Sequence, residues 1–206
     1  MNKYPLLYYL GKMILLAYAK IVTGFKVKNK EMIPDTGSFI IASNHISWFD
    51  PPLVGIGIKR VCNFMAKREL FNNRFFATIL RNVKAIPVNR AGFDRTSIKN
   101  ALEALKRGEG LVMFPEGTRS KDGEIGKMRL GVGLLAVKSN ATVIPAYIKN
   151  SKNSVRNRLT GKKVVVTFGE PIPIAGSGEY PNSKEGYQKI ADEVEIRIRD
   201  MKRNLN

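Results

Sequence analysis

The 206-residue sequence contains one cysteine, one histidine and one tryptophan, and it has 17 acidic residues against 35 Lys and Arg. Cys62 has no second cysteine to pair with, and His45 has no Cys or His companions from which a zinc set could be drawn. A disulfide-built secreted fold and the usual zinc enzymes are therefore excluded. Lys12 and Lys20 interrupt the apolar N-terminal run, so no uncharged stretch approaches the roughly 20 residues that a bilayer-spanning helix requires. Hydrophobic residues make up 44% and charged residues 25%, which is too apolar for a disordered chain. The length fits one domain, or one domain with a short appendage.

The shortage of acids is regional. Residues 1–30 hold six Lys and no acid, and residues 125–169 hold nine Lys or Arg and no acid, within a net charge of +18. Basic faces of this kind attract nucleic acid, anionic lipid head groups or phosphorylated metabolites through the same long-range field. Charge alone does not choose among them, and a generally cationic surface that serves solubility is the plain alternative.

At the N-terminus, Leu6, Leu7, Leu10, Ile14 and Ile21 recur near helical spacing after Pro5, which suits a first-turn position. The segment reads as an amphipathic helix lying in a membrane interface, with Tyr8, Tyr9 and Tyr18 at the depth aromatic hydroxyls prefer. A helix packed on the domain is a second reading. A signal peptide cut at Ala17-Tyr18-Ala19 is a third, which Lys12 inside the apolar region weakens.

Residues 1–30 are accordingly expected to be a membrane-associating segment and residues 31–206 a single α/β domain, a mixed sheet flanked by helices. Strands are expected at Phe39–Ala42, Val61–Met65, Ala85–Val88, Leu111–Phe114, Val143–Ile148 and Val164–Phe168. Helices are expected at Leu53–Ile58, Phe71–Leu80, Thr96–Lys106, Val132–Ser139 and Lys184–Arg199. The last carries Ile190, Val194 and Ile198 on one stripe, which marks a surface helix packed by one face. The turn Glu170–Pro173 and the stretch Ala175–Gly178 read as a surface loop.

His45 follows the apolar run Phe39–Ala42, just past the carboxyl end of a strand, where α/β proteins commonly build sites. Asp50 comes five residues later, before Pro51-Pro52, and reads as a helix N-cap. On a helix the two side chains would differ by about 140°, so they meet only if Ile46–Phe49 curves into a turn. If they meet, Asp50 holds one ring nitrogen and leaves the other free to take a proton. No G-x-S-x-G elbow occurs, and Cys62 falls in a strand interior, so no protein nucleophile is evident. A His–Asp dyad without a serine can deprotonate a substrate hydroxyl and direct it at an activated acyl carbonyl.

A second polar cluster, Phe114-Pro115-Glu116-Gly117-Thr118-Arg119-Ser120, also follows a strand and would lie on the same sheet edge. Arg119 could grip a phosphate with its planar fork, Gly117 would let the backbone approach a ligand, and Glu116 could bind a hydroxyl or orient Arg119. Arg90 follows a third strand, in Ile86-Pro87-Val88-Asn89-Arg90. Gly131–Ala136 matches G-x-G-x-x-A, but no strand precedes it, so a dinucleotide fingerprint is not supported.

In order, Asn44-His45-x4-Asp50, Ile86–Arg90, Phe114–Ser120 and Val143-Ile144-Pro145-Ala146 resemble the four motifs of the glycerolipid acyltransferases, most nearly the bacterial lysophosphatidate acyltransferases. The resemblance covers about residues 30–170. It implies that His45 is the general base on a glycerol hydroxyl with Asp50 as its partner, and that Arg90, Glu116, Gly117 and Arg119 serve the glycerol-phosphate acceptor. It places Pro145 on the acyl-donor side, although Ala146 stands where the family more often has a larger apolar residue. It also implies an α/β domain with N-terminal helices embedded in one leaflet.

The activity so implied is transfer of a fatty acyl group from a thioester, on coenzyme A or acyl carrier protein, to the sn-2 hydroxyl of lysophosphatidic acid. No metal or cofactor is called for, since a thioester is already activated. The expected partners are the anionic leaflet at the cytoplasmic face of the cell membrane, the thioester carrier and the lysolipid, and not nucleic acid. Another lysophospholipid or glycerol 3-phosphate is the alternative acceptor. A basic nucleic-acid-binding module is the alternative from another class, and the sequence has no RNA or DNA motif to support it.

Overall fold

The computed structural model describes residues 6–89, 94–176 and 178–205, with side chains from Tyr9 onward. Pro5, Arg90 and the side chains of Leu6, Leu7 and Tyr8 lie outside the described residues. Seven strands, β1 (Lys26–Lys28), β2 (Phe39–Ser43), β3 (Cys62–Lys67), β4 (Ala85–Val88), β5 (Gly110–Met113), β6 (Thr142–Lys149) and β7 (Val165–Phe168), form one sheet in the order β1-β7-β6-β2-β5-β3-β4. The β6–β7 pair is antiparallel and the other pairs are parallel, so the sheet is mixed, as expected.

The helices are α1 (Leu6–Thr23), α2 (Asp50–Gly57), α3 (Arg74–Asn82), α4 (Arg95–Lys106), α5 (Gly131–Ser139), α6 (Ser154–Leu159) and α7 (Lys184–Leu205). Every residue of β2 and β5 is buried, which is why both read as continuous apolar runs rather than alternating ones. Along β2, Ile40 and Ala42 join the core under α4, α5 and α7, while Phe39 and Ile41 join the core under α1 and α2.

Most expected elements appear with ends shifted by a few residues. Helix α3 begins at Arg74 rather than Phe71 because the Asn73 side chain accepts the Phe75 and Phe76 N–H groups as its N-cap, behind a 3-10 turn at Arg68–Asn72. Two elements have no counterpart among the expected ones. Strand β1 is a Lys-Val-Lys triplet with no apolar run, and it pairs in parallel with β7. Helix α6, with Arg156 and Arg158, lies between β6 and β7, where no helix is expected.

Helix α1 packs through Leu15, Leu16 and Ala19, and leaves Tyr9, Leu10, Met13, Ile14, Tyr18 and Ile21 exposed. Lys12 turns inward and donates to the Ile58 carbonyl just past α2, and burial lowers its pKa. One face of α1 is thus packed on the domain, and the other presents an exposed apolar stripe that includes Leu10, Met13, Ile14 and Ile21. No described helix is long and apolar enough to cross a membrane.

The sheet places the site. Strands β2 and β5 are parallel neighbours with Ala42 opposite Met113, so the segments leaving them, with His45 and Glu116, emerge at one carboxyl edge.

Candidate active site

Past β2 the chain turns back on itself at Ile46–Phe49, and this turn brings His45 and Asp50 together: His45 Nδ1 lies 2.8 Å from Asp50 Oδ2. The same oxygen accepts the Ile46 and Ser47 N–H groups, each at 2.7 Å. Asp50 is therefore not an N-cap, as the Pro-Pro sequence suggests. It is the first residue of α2, and its carboxylate folds back to close the preceding turn instead of meeting the helix N–H groups. Oδ1 accepts from the Ser151 hydroxyl at 2.6 Å, so this fully buried carboxylate receives four hydrogen bonds. A buried anion is tolerable only when its lone pairs are used in this way.

The His45 ring stacks on Phe114, centroid to centroid 4.3 Å, at an interplanar angle of 27°. With Nδ1 on Asp50, Nε2 has no hydrogen-bond partner among the described residues. Nearby serines are engaged elsewhere: Ser43 with the Asn44 carbonyl, Ser120 with Asp122 and Ser151 with Asp50. None of the three bonds to the imidazole. The arrangement presents an oriented base with no protein nucleophile on it, and suits removal of a proton from a substrate hydroxyl.

Glu116 does not orient Arg119. Its Oε1 accepts the His45 N–H at 2.8 Å and its Oε2 accepts the Gly126 N–H at 3.0 Å, so both oxygens brace the backbone of the site. Burial pushes its pKa up, while these N–H groups and His45 pull the other way. The Arg119 guanidinium instead lies over the Trp48 ring, 4.0 Å from its centroid. Gly117 adopts φ +77°, a conformation that favours glycine, and the Arg129 guanidinium packs directly over it. Arg129 and Lys127 line a cavity of about 800 Å³ together with Phe114, Glu116 and Gly117. The two acids on that wall are committed, Glu116 as above and Asp94 to Arg68 and to the Asn89 and Ser97 N–H groups.

The structure brings together His45, Asp50, Glu116, Gly117 and Arg119. Arg90 lies outside the described residues. Pro145 is buried in β6 opposite Ala42, and its carbonyl accepts the Gly169 N–H at 2.8 Å. Two residues of the site were not anticipated. Ser151, only 1% exposed, follows β6 and is 101 positions from Asp50, so no local pattern marks it. Asn44, buried beside His45, makes a reciprocal pair with the Ile148 backbone at 2.7 and 3.1 Å, tying the turn to β6. Its place beside the histidine was the available signal.

Comparisons with known proteins agree with this arrangement. Residues 24–149 match the model of the family described as Acyltransferase. The chain is 32% identical over 184 residues to the 1-acyl-sn-glycerol-3-phosphate acyltransferase of Bacillus subtilis, covering 89% of this chain and 90% of that protein. It is 27% identical over 190 residues to the protein of the same name from Streptococcus pneumoniae, covering 91% of this chain and 69% of that one. The crystal structure of the 1-acyl-sn-glycerophosphate acyltransferase PlsC from Thermotoga maritima superposes with a TM-score of 0.67 at 26% identity, over 98% of this chain and 84% of that one. With the family model spanning more than half of the sequence and His45, Asp50, Glu116, Gly117 and Arg119 gathered past the ends of β2 and β5, the chain belongs to the acyltransferase family.

Proposed function

We propose that this protein is a 1-acyl-sn-glycerol-3-phosphate acyltransferase. The observation that carries the reading is the His45–Asp50 pair at 2.8 Å with a free imidazole nitrogen and no protein nucleophile bonded to it. The acceptor hydroxyl gives its proton to His45 Nε2, and its oxygen attacks the thioester carbonyl. The tetrahedral intermediate then expels the thiolate as the C–S bond breaks, and the proton on His45 passes to sulfur. Asp50 holds the ring in the tautomer that leaves Nε2 basic. Acyl transfer completes without a covalent acyl-enzyme.

In this reading Arg90 and Arg119 hold the acceptor phosphate, Gly117 serves that site by admitting the Arg129 guanidinium close to the backbone, and Pro145 belongs to the acyl-donor side. Glu116 serves from beneath by fixing the His45 backbone. The donor is acyl-coenzyme A or acyl carrier protein, with no further cofactor required. The protein works as a peripheral or monotopic enzyme on the anionic cytoplasmic face of the cell membrane. The outward apolar stripe of α1 and the +18 charge support that placement.

Thiol release from each donor, with and without lysophosphatidic acid in mixed micelles, tests the proposal. Acceptor-dependent release that falls about a thousandfold or more in His45→Ala is expected. Equal rates in wild type and mutant would sink the mechanism. Release with glycerol 3-phosphate or another lysolipid but not with lysophosphatidic acid would move the acceptor to the alternative.

A further inference from the structure

We infer that the turn carrying the catalytic pair is itself a membrane-inserting element, with Trp48 and Phe49 entering the head-group boundary of an anionic bilayer. The inference rests on the proposed lipid acceptor and adds to it the surface that reaches the bilayer. Asp50 takes the Ile46 and Ser47 N–H groups, and Ser47 Oγ takes the Phe49 N–H. These bonds fix the turn with both aromatic rings facing outward, 62% exposed for Trp48 and 56% for Phe49. Two adjacent large aromatics left in water forfeit the stabilisation that burial of their rings would bring. The catalytic bonds keep them from folding inward, and among the described residues the Arg119 guanidinium stacks on the Trp48 ring while both rings stay largely exposed.

The chemistry around the rings suits lipid. Arg119 lies on the face of Trp48, a pairing in which the indole sits at the acyl boundary and the guanidinium meets phosphates above it. Lys121 and Lys152, joined by a bond from the Lys152 ammonium to the Lys121 carbonyl, add exposed positive charge next to the residues that hold the turn. The two acids of this loop are both engaged, Asp122 by the Ser120 hydroxyl and the Glu124 N–H, and Glu124 by the Lys202 ammonium at 2.7 Å.

The apolar surface also continues past the turn. Pro52, in the first turn of α2, lines an apolar cavity of about 360 Å³ with Leu15 of α1 and Ile79 of α3. The helices that line it also carry exposed apolar residues, Met13 and Ile14 on α1 and Phe75 and Phe76 on α3, with exposed Arg74 and Arg81 at the two ends of α3. Three helices and the turn thus offer an apolar surface fringed by cations, the pattern of an interfacial binder.

The consequence for function is depth. His45 is three residues from Trp48, within about 10 Å even for a fully extended chain. Anchoring Trp48 at the head-group boundary sets the base at the level of a lysolipid's glycerol hydroxyl, so the acceptor need not leave the bilayer to react.

Trp48 is the sole tryptophan of the chain, which makes the test direct. Full-length protein is titrated with vesicles of phosphatidylglycerol and phosphatidylcholine while tryptophan emission and co-sedimentation are followed together. A blue shift that lipids brominated near the head group quench is expected. Phe49→Asp, which keeps the reporter, is expected to lower the vesicle partition coefficient by about tenfold. Co-sedimentation with unshifted emission, a shift that brominated lipid does not quench, or unaltered partitioning of Phe49→Asp overturns the proposal while membrane binding stands. Absence of co-sedimentation removes both the proposal and the membrane placement beneath it. A shift produced by acyl carrier protein and not by vesicles reassigns the surface to a protein partner.

Discussion

The Ser151 hydroxyl donates to Asp50 Oδ1 at 2.6 Å, joining the loop after β6 to the first residue of α2. Asp50 Oδ2 is shared among His45 and two backbone N–H groups, so Ser151 supplies the bond on the other oxygen and fixes the plane of the carboxylate. Ser151 is 1% exposed and bonds to the carboxylate rather than to the imidazole, which makes it a positioning residue.

Ser151→Ala should therefore lower kcat about tenfold or more, since a hydrogen bond to a buried charge is worth about 1.5–3 kcal/mol. The KM for acceptor and donor should stay within about twofold, because no binding contact is removed. Steady-state kinetics on both substrates separates this from a general loss of structure, and an unaltered kcat would discard the positioning role.

Gly117→Ala should be destabilising and should displace Arg129. The backbone is at φ +77°, and an added Cβ would lie 2.6 Å from the Arg129 guanidinium carbon. The left-handed conformation alone costs about 1–2 kcal/mol in a residue with a side chain. Removing Arg129 relieves the steric part, so the double variant Gly117→Ala/Arg129→Ala should be more stable than the two single losses added together. Urea denaturation of the four proteins in the cycle measures that coupling, and strict additivity would show that the two groups do not touch.

Gly133→Ala should cost about 3 kcal/mol, because its Cβ would stand 2.1 Å from the Tyr187 carbonyl oxygen, where α5 crosses α7. Backbone cannot give way as a flexible side chain does. A thermal melt checks it, and an unmoved midpoint would mean that the helices are further apart than the structure has them.

Glu109 should make the fold acid-sensitive. Burial alone raises its pKa, but hydrogen bonds from Arg107, Asn63 and Lys84 outweigh that and pull it down to about 2 from 4.5. A carboxyl depressed on folding contributes stability that is complete above about 4.5 and is lost as pH falls towards about 2. Arg107 is largely solvent-exposed, so about 1 kcal/mol is expected after screening rather than the full linkage value. Denaturation of wild type and Glu109→Gln between those pH values should show the difference closing as pH falls. A constant gap would place the stabilisation elsewhere.

Much of the architecture was legible because its signals are local. The buried central strands read as apolar runs, α7 declares itself by the spacing of Ile190, Val194 and Ile198, and the two site motifs each follow such a run. Strand β1 was not legible, since a Lys-Val-Lys triplet has no pattern and exists only because β7 offers an edge to it. The Asp50-Pro-Pro sequence pointed to a helix cap, yet three donors in the preceding turn, counting His45 Nδ1, competed successfully for the same carboxylate oxygen.

What the sequence determines by itself is the chemical kit: one imidazole, a carboxylate five residues on, no nucleophile elbow, and an excess of cations. These follow from residue identity and short spacings, which the chain carries whether folded or not. The tertiary structure alone decides that Glu116 braces His45 rather than Arg119, that Arg119 lies on Trp48, and that Ser151 completes Asp50. Those contacts join segments 71 and 101 residues apart. Only the register of parallel β2 and β5, and the return of the chain through β6, bring such distant segments within hydrogen-bond reach.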